Sequence, residues 1–220
     1  NVKAKKTTIK NQPKTTSDHT TKWLKESPLH LIGIGGIGMS GIAKLLHQKK
    51  VPITGSDRSE SPITKALASN GIPIQMGHAP QLVLNAKGII VSSAIETDNP
   101  EYIAATQNNL PIYSRAEILN TLMKDAKHAI AISGTHGKST TAACLAYLLN
   151  TPETPASYAI GAELNNFKTN AHLGAGEYFI AEADESDGSF LDITPSSAII
   201  TNIENDESIE LLIPRSKYLN

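Results

Sequence analysis

From Leu29 onward, short apolar runs alternate with amphipathic stretches, which is the pattern of a parallel sheet covered by helices. "LHLIGIG" reads as a strand, and "IGMSGIAKLLHQKK" as a helix with Ile42, Leu45 and Leu46 on one face. "VPITGSD" is a second strand; Ser61 then caps a helix with Pro62 at its first position, and Gly71 ends it. "IPIQMG" and "GIIVSSA" predict two more strands with a short helix between them. Ser114 and Glu117 in "SRAEILNTLM" have capping-box spacing, so another helix starts there. A domain boundary follows near Lys124 to Lys127. Beyond it a new α/β unit opens with the strand "HAIAIS", passes through a helix in "TAACLAYLLN", and returns in the strands "EYFIAEAD" and "SAIITNIE". No internal repeat is visible.

Composition changes this picture mainly at the start of the chain. At 220 residues, 40% of them hydrophobic, the chain can bury a core in one or two domains. A formal net charge of -1 gives no bulk attraction to nucleic acid or an anionic membrane. The charge is uneven, however, with seven lysines in residues 1–26 against Asp18 and Glu26. That Lys/Thr-rich segment lacks apolar periodicity and predicts a disordered basic tail over residues 1–28. It has no signal-peptide core, and no apolar run of about 20 residues exists to span a membrane. Cys144 is the single cysteine, which excludes an intrachain disulfide and a thiolate metal cluster. A soluble cytoplasmic protein is the expectation.

Two glycine-rich turns follow the two first strands. "GIGGIG" sets Gly33, Gly35 and Gly38 in G-x-G-x-x-G spacing at a strand-to-helix junction. Glycines there permit a tight turn and let a diphosphate approach the N–H groups at a helix start. Asp57 ends the second strand, where such folds place an acid for a ribose hydroxyl. The turn alone fits a dinucleotide, another nucleotide diphosphate, or close strand–helix packing. The second turn, "GTHGKST", holds Gly134, Thr135, His136, Gly137, Lys138, Ser139 and Thr140. It ends as a phosphate-binding loop does, but Ile132 stands where the first glycine of G-x-x-x-x-G-K-[ST] belongs. The chemistry survives the change: backbone N–H groups can cradle phosphates, Lys138 can reach the β and γ oxygens, and Ser139 can ligate Mg²⁺. "AEADESDGSF" then places Glu182, Asp184, Glu185 and Asp187 at a strand end. Mutual repulsion among these carboxylates makes a cation a natural neutraliser, and Mg²⁺ needs one or two of them.

"HLIGIGGIGMSGIA", "VSSAIETDNPE", "SGTHGKSTT", "NAHLGAGEYFIAEADESDGSF" and "IITNIE", in that order, resemble the Mur ligase family over His30 to Asp206. Within it the spelling is most similar to the members that join L-alanine to UDP-N-acetylmuramate. The resemblance implies an α/β fold: a Rossmann-like parallel-sheet domain for the UDP-sugar over residues 29–126, then part of a P-loop-type ATPase domain over 127–220. It implies an ATP- and Mg²⁺-dependent ligase of peptidoglycan precursor synthesis that forms an amide through an acyl phosphate. It also implies that the first turn holds the UDP-muramate diphosphate, giving Gly35, Gly36, Ile37 and Gly38 to the substrate, with Asp57, His78, Ser92, Ser93 and Ala94 around it. Lys138, His136 and Glu182 become the catalytic candidates, the loop from Gly134 to Thr140 the ATP site, and Ser139, Glu182 and Glu185 the metal ligands. His172, with Asn170, is the candidate to face the lactyl carboxylate.

The departures are as specific. The family follows "TNIE" with an Asp-His pair, whereas Asp206 here precedes Glu207, and "ESIELLIPRSKYLN" matches nothing in that place. A fragment, a truncated gene product or an interrupted sequence is therefore expected, able to bind UDP-muramate and ATP without completing ligation. Two alternatives stand beside the ligase: a non-catalytic UDP-sugar-binding module, and an NAD(P)-dependent oxidoreductase built on "GIGGIG". The second leaves the "GKS" loop and the acidic cluster unexplained.

Overall fold

The computed structural model describes residues 28–183 and 194–203. The basic tail read at residues 1–28, apart from Pro28, lies outside them, as do Asp184, Glu185, Asp187, Asp206 and Glu207.

The first sheet is built from β1 (Leu29–Ile32), β2 (Ile53–Asp57), β3 (Ile74–Met76), β4 (Gly88–Val91) and β5 (Ile112–Ser114). All are parallel, in the order β3-β2-β1-β4-β5, with His30 opposite Thr54 on one side and Ile89 on the other. Every residue of β1 is buried, as expected of a central strand covered on both faces. The crossovers are α1 (Ile37–Gln48), α2 (Pro62–Ser69) and α3 (Pro100–Gln107), with a single 3₁₀ turn at Pro80–Val83 between β3 and β4. Where a short helix was expected, Pro80 and the brevity of the link allow only that turn. α4 (Arg115–Met123) follows β5 directly.

His128 opens a second sheet, formed by β6 (His128–Ser133), β7 (Ser157–Leu164), β8 (Thr169–His172), β9 (Tyr178–Glu182) and β10 (Ser197–Ile200). Its order is β10-β6-β9-β7-β8, parallel except for β8, which pairs antiparallel with β7. Helix α5 (Lys138–Leu149) links β6 to β7. No helix among the described residues is long and apolar enough to cross a membrane.

Helix α1 packs against both sheets, which is why it is buried around most of its circumference: Met39, Ser40, Gly41, Ile42, Ala43, Leu45 and Leu46 are all covered. Its apolar residues share one cluster with Ala129, Ala171 and Phe179 of the second sheet. Burying Leu45 and Leu46 stabilises by about 1.5–3 kcal/mol each. Polar contacts fix the join. Asn170 Nδ2 donates to Ile37 O at 2.8 Å, Lys44 Nζ donates to Asn170 Oδ1 at 2.7 Å, and Leu173 N donates to Gln48 Oε1 at 2.7 Å. Burial pushes the Lys44 pKa down, opposed by the charge of Glu163. Gly41 permits the approach, since a β-carbon there would lie 3.2 Å from Asn170 Nδ2.

Candidate nucleotide-sugar and phosphate sites

In the first sheet the strand order reverses between β1 and β4, so the turns after those strands flank an open crevice of the kind that binds ligands in α/β folds. After β1 the chain turns through Gly33, at φ +73°, and enters α1 with no side chain capping its first N–H groups. Those groups are left for an anion. Gly33 N and Ile34 N donate to Ser56 O at 2.9 and 3.0 Å, and Gly35 N donates to Asp57 Oδ2 at 2.7 Å. Asp57 thus holds the turn itself, and a β-carbon on Gly35 would sit 2.8 Å from its carboxylate.

A cavity of about 480 Å³ opens over this turn. Gly36, Ile37, Gly38 and Asp57 form one wall, and Ser92, Ser93 and Ala94, which follow β4, form another. His78 also lines it. At the far end the lining passes to the second sheet through Ala159, Ile160, Gly161 and Glu182. The substrate candidates other than Gly35 and His172, and the catalytic candidate Glu182, are therefore brought to one chamber.

Two cations in the lining, Arg58 and Arg115, were not singled out from the sequence. Arg115 begins α4, and its side chain lies over the glycine turn: a β-carbon on Gly38 would meet Arg115 Cδ at 3.1 Å and Nη1 at 3.3 Å. Gly38 is thus needed for the guanidinium to reach the start of α1. The signal available in the sequence was an arginine directly after a capping serine at a strand end. His172 is placed elsewhere. It sits on β8, the edge strand, with its ring 5.8 Å from that of Tyr158, and it does not line the cavity. Asn170 is buried and turned toward α1 instead.

The second turn springs from β6, beside the end of β9, where Ile132 is in register with Glu182. Gly134 at φ +129° and Gly137 at φ +82° take backbone conformations that favour glycine. Gly137 caps α5 without a side-chain bond, so the first N–H groups of α5 face the loop. Lys138 Nζ donates to Gly134 O at 2.5 Å, folding the ammonium back over the loop. Residues after β10 brace it: His136 N donates to Asn202 Oδ1 at 2.8 Å, and Thr201 Oγ1 donates to His136 O at 2.6 Å. Ser139 is half-buried at the helix start and Thr140 is exposed.

Two buried oxygens among the described residues lack a hydrogen-bond partner, Thr135 Oγ1 in the loop and Glu182 Oε1 beside it. Burying a polar atom unsatisfied costs about 1–3 kcal/mol. Both orphans lie where phosphate and a cation were expected, and their chemistry fits those groups. Gly161 makes room for the carboxylate, since a β-carbon there would stand 2.7 Å from Glu182 Oε2.

Comparison with known proteins bears on what occupies these sites. A family model described as "Mur ligase family, catalytic domain" matches residues 28–127. A UDP-N-acetylmuramate–L-alanine ligase from Anaeromyxobacter sp. is 47% identical over 180 residues, covering 82% of this chain and 39% of that protein. The corresponding ligase from Neisseria gonorrhoeae is 44% identical over 82% of this chain and 38% of its own length. The chain thus spans about two fifths of these relatives. Among solved structures, a UDP-N-acetylmuramate–alanine ligase from Thermotoga maritima matches with a TM-score of 0.75 and 32% identity, over 81% of this chain and 42% of that one. A UDP-N-acetylmuramate:L-alanyl-gamma-D-glutamyl-meso-diaminopimelate ligase from Neisseria meningitides gives 0.75 at 25% identity, over 82% of this chain and 61% of that one. All four relatives are ligases by name. Matching both the family model and the fold of its members, the chain belongs to the Mur ligase family.

Proposed function

We propose that this chain holds the nucleotide-sugar site and the phosphate loop of an ATP-dependent ligase that joins L-alanine to UDP-N-acetylmuramate in peptidoglycan precursor synthesis. One observation carries the reading: a single cavity runs from the glycine turn of the first sheet to Glu182 at the mouth of the second, beside the phosphate loop. A substrate with a carboxylate on one side of its diphosphate and a nucleoside on the other suits such a chamber.

In the reaction a carboxylate oxygen of the substrate attacks the γ-phosphorus of ATP, and the bond to the β–γ bridging oxygen breaks to release ADP. The amine of alanine then attacks the acyl carbon, phosphate leaves, and the amine loses a proton as the amide forms. The chain's part is to position and neutralise. The uncapped start of α1 and Arg115 would hold the diphosphate, with Ser92, Ser93 and His78 ordering the rest of the nucleotide. The glycine loop and the start of α5 would cradle the ATP phosphates. Lys138 would exchange its bond to Gly134 O for a γ oxygen, and Thr135 Oγ1 would find a partner there. Glu182 and Ser139 would hold Mg²⁺, which supplies charge neutralisation on the phosphates. Glu185 is the further carboxylate proposed for the ion.

A Lys138→Ala variant tests the division of labour. ATP affinity is expected to fall by about 100-fold or more with the loss of a charged contact to phosphate. UDP-N-acetylmuramate affinity should change little, because Lys138 does not line the cavity. Calorimetric titration of each ligand reads both. Undiminished ATP binding would overturn the assignment of the loop.

A further inference from the structure

Next to the cavity stands a carboxylate more deeply buried than any group the proposed reaction uses. Glu101 has 0% exposure and lies in the first turn of α3, where the Asn99 side chain caps the helix and the dipole favours an anion. Four donors converge on it. Its Oε2 accepts from His30 Nε2 at 2.9 Å and Ser56 Oγ at 2.7 Å; its Oε1 accepts from His78 Nδ1 at 3.0 Å and Ala79 N at 3.2 Å. Burial works to raise the Glu101 pKa, but the bonds from His30 and Ser56, the charge of His30 and the bond from His78 outweigh it. The carboxyl is held below its ordinary range. Buried ionic clusters are a weak source of stability, so what this one holds in place is the better account of it.

It holds His78, the member of the network that lines the cavity, with its side chain 15% exposed. The bond to Glu101 engages Nδ1, and the remaining ring nitrogen, Nε2, has no hydrogen-bond partner among the described residues. His30 is held the other way round, through Nε2 to Glu101, with its Nδ1 2.8 Å from Thr54 Oγ1.

We propose that Glu101 is a positioning residue for nucleotide-sugar recognition: by accepting the Nδ1 proton of His78 it fixes the ring so that Nε2 offers a lone pair to the cavity. A lone pair cannot bind a phosphate oxygen. It accepts from a hydroxyl or an imide N–H, so His78 reads the nucleoside or sugar part of the ligand while Arg115 and the start of α1 meet the charge. This deepens the proposed function and rests on the cavity being a UDP-sugar site.

The test uses the whole 220-residue chain, labelled with ¹⁵N-histidine, at pH 8, where histidine is ordinarily neutral. Long-range ¹H–¹⁵N spectra, with His78→Gln assigning the resonance, should show opposite tautomers: the proton on Nδ1 in His78 and on Nε2 in His30. Glu101→Gln keeps the size but leaves one acceptor oxygen where two are used. It should weaken UDP-N-acetylmuramate binding about tenfold, the cost of one charged hydrogen bond, with His78→Gln equivalent and the double variant no worse. A proton on His78 Nε2 in the parent chain overturns the inference whether or not the Glu101 variant folds. So does a folded Glu101→Gln chain that binds as tightly as the parent. Failure of the parent to bind any UDP-sugar, with the predicted tautomers present, instead refutes the reading of the cavity.

Discussion

At Gly134 the backbone adopts φ +129°, and a β-carbon would lie 2.2 Å from Thr201 Oγ1 and 2.9 Å from Asn202 O. Alanine there meets both a conformation closed to it and a backbone that cannot yield cheaply. Gly134→Ala is expected to cost about 1–3 kcal/mol, to push Thr201 and Asn202 off the loop, and to abolish ATP binding while sparing UDP-N-acetylmuramate. Parallel titrations with the two ligands read this, and unaltered ATP affinity would show that the loop geometry is not what the site needs. The glycines and Lys138 were legible in the sequence because a phosphate loop is written in consecutive residues. Glu101, Arg115 and Gly161 were not, since their roles come from strands and helices brought together across the fold. The same distance explains His172, where a motif suggested a substrate contact and the edge position of β8 gives a ring packed on Tyr158.

Among the elements, the cap expected at Ser61 is formed, as a box that Thr64 completes, and so is the capping box expected of Ser114 with Glu117. The second matters to the site. Glu117 N donates to Ser114 Oγ at 3.1 Å and Ser114 N donates to Glu117 Oε2 at 2.6 Å, which fixes the start of α4 where Arg115 leaves the helix. Ser114→Ala should destabilise the chain by about 1 kcal/mol, seen as a lower urea midpoint with an unchanged slope. No loss of stability would mean the cap is redundant. β5 escaped the sequence reading because three residues show no periodicity, and α3 because its apolar face is narrow. The β7–β8 pair escaped because its register shifts between Ala159 and Leu164, which breaks the alternation that marks a strand.

Across the whole molecule, α1 joins the two sheets into one frame, its start facing the cavity and its sides buried against both sheets. That frame sets the nucleotide-sugar turn, Glu182 and the phosphate loop at fixed positions relative to one another, which the proposed transfer requires. Calorimetric titration of the 220-residue chain with UDP-N-acetylmuramate, a non-hydrolysable ATP analogue with Mg²⁺, and NADH tests this most directly. The account predicts binding of the first two and none of the third. Binding of NADH without the UDP-sugar would contradict it.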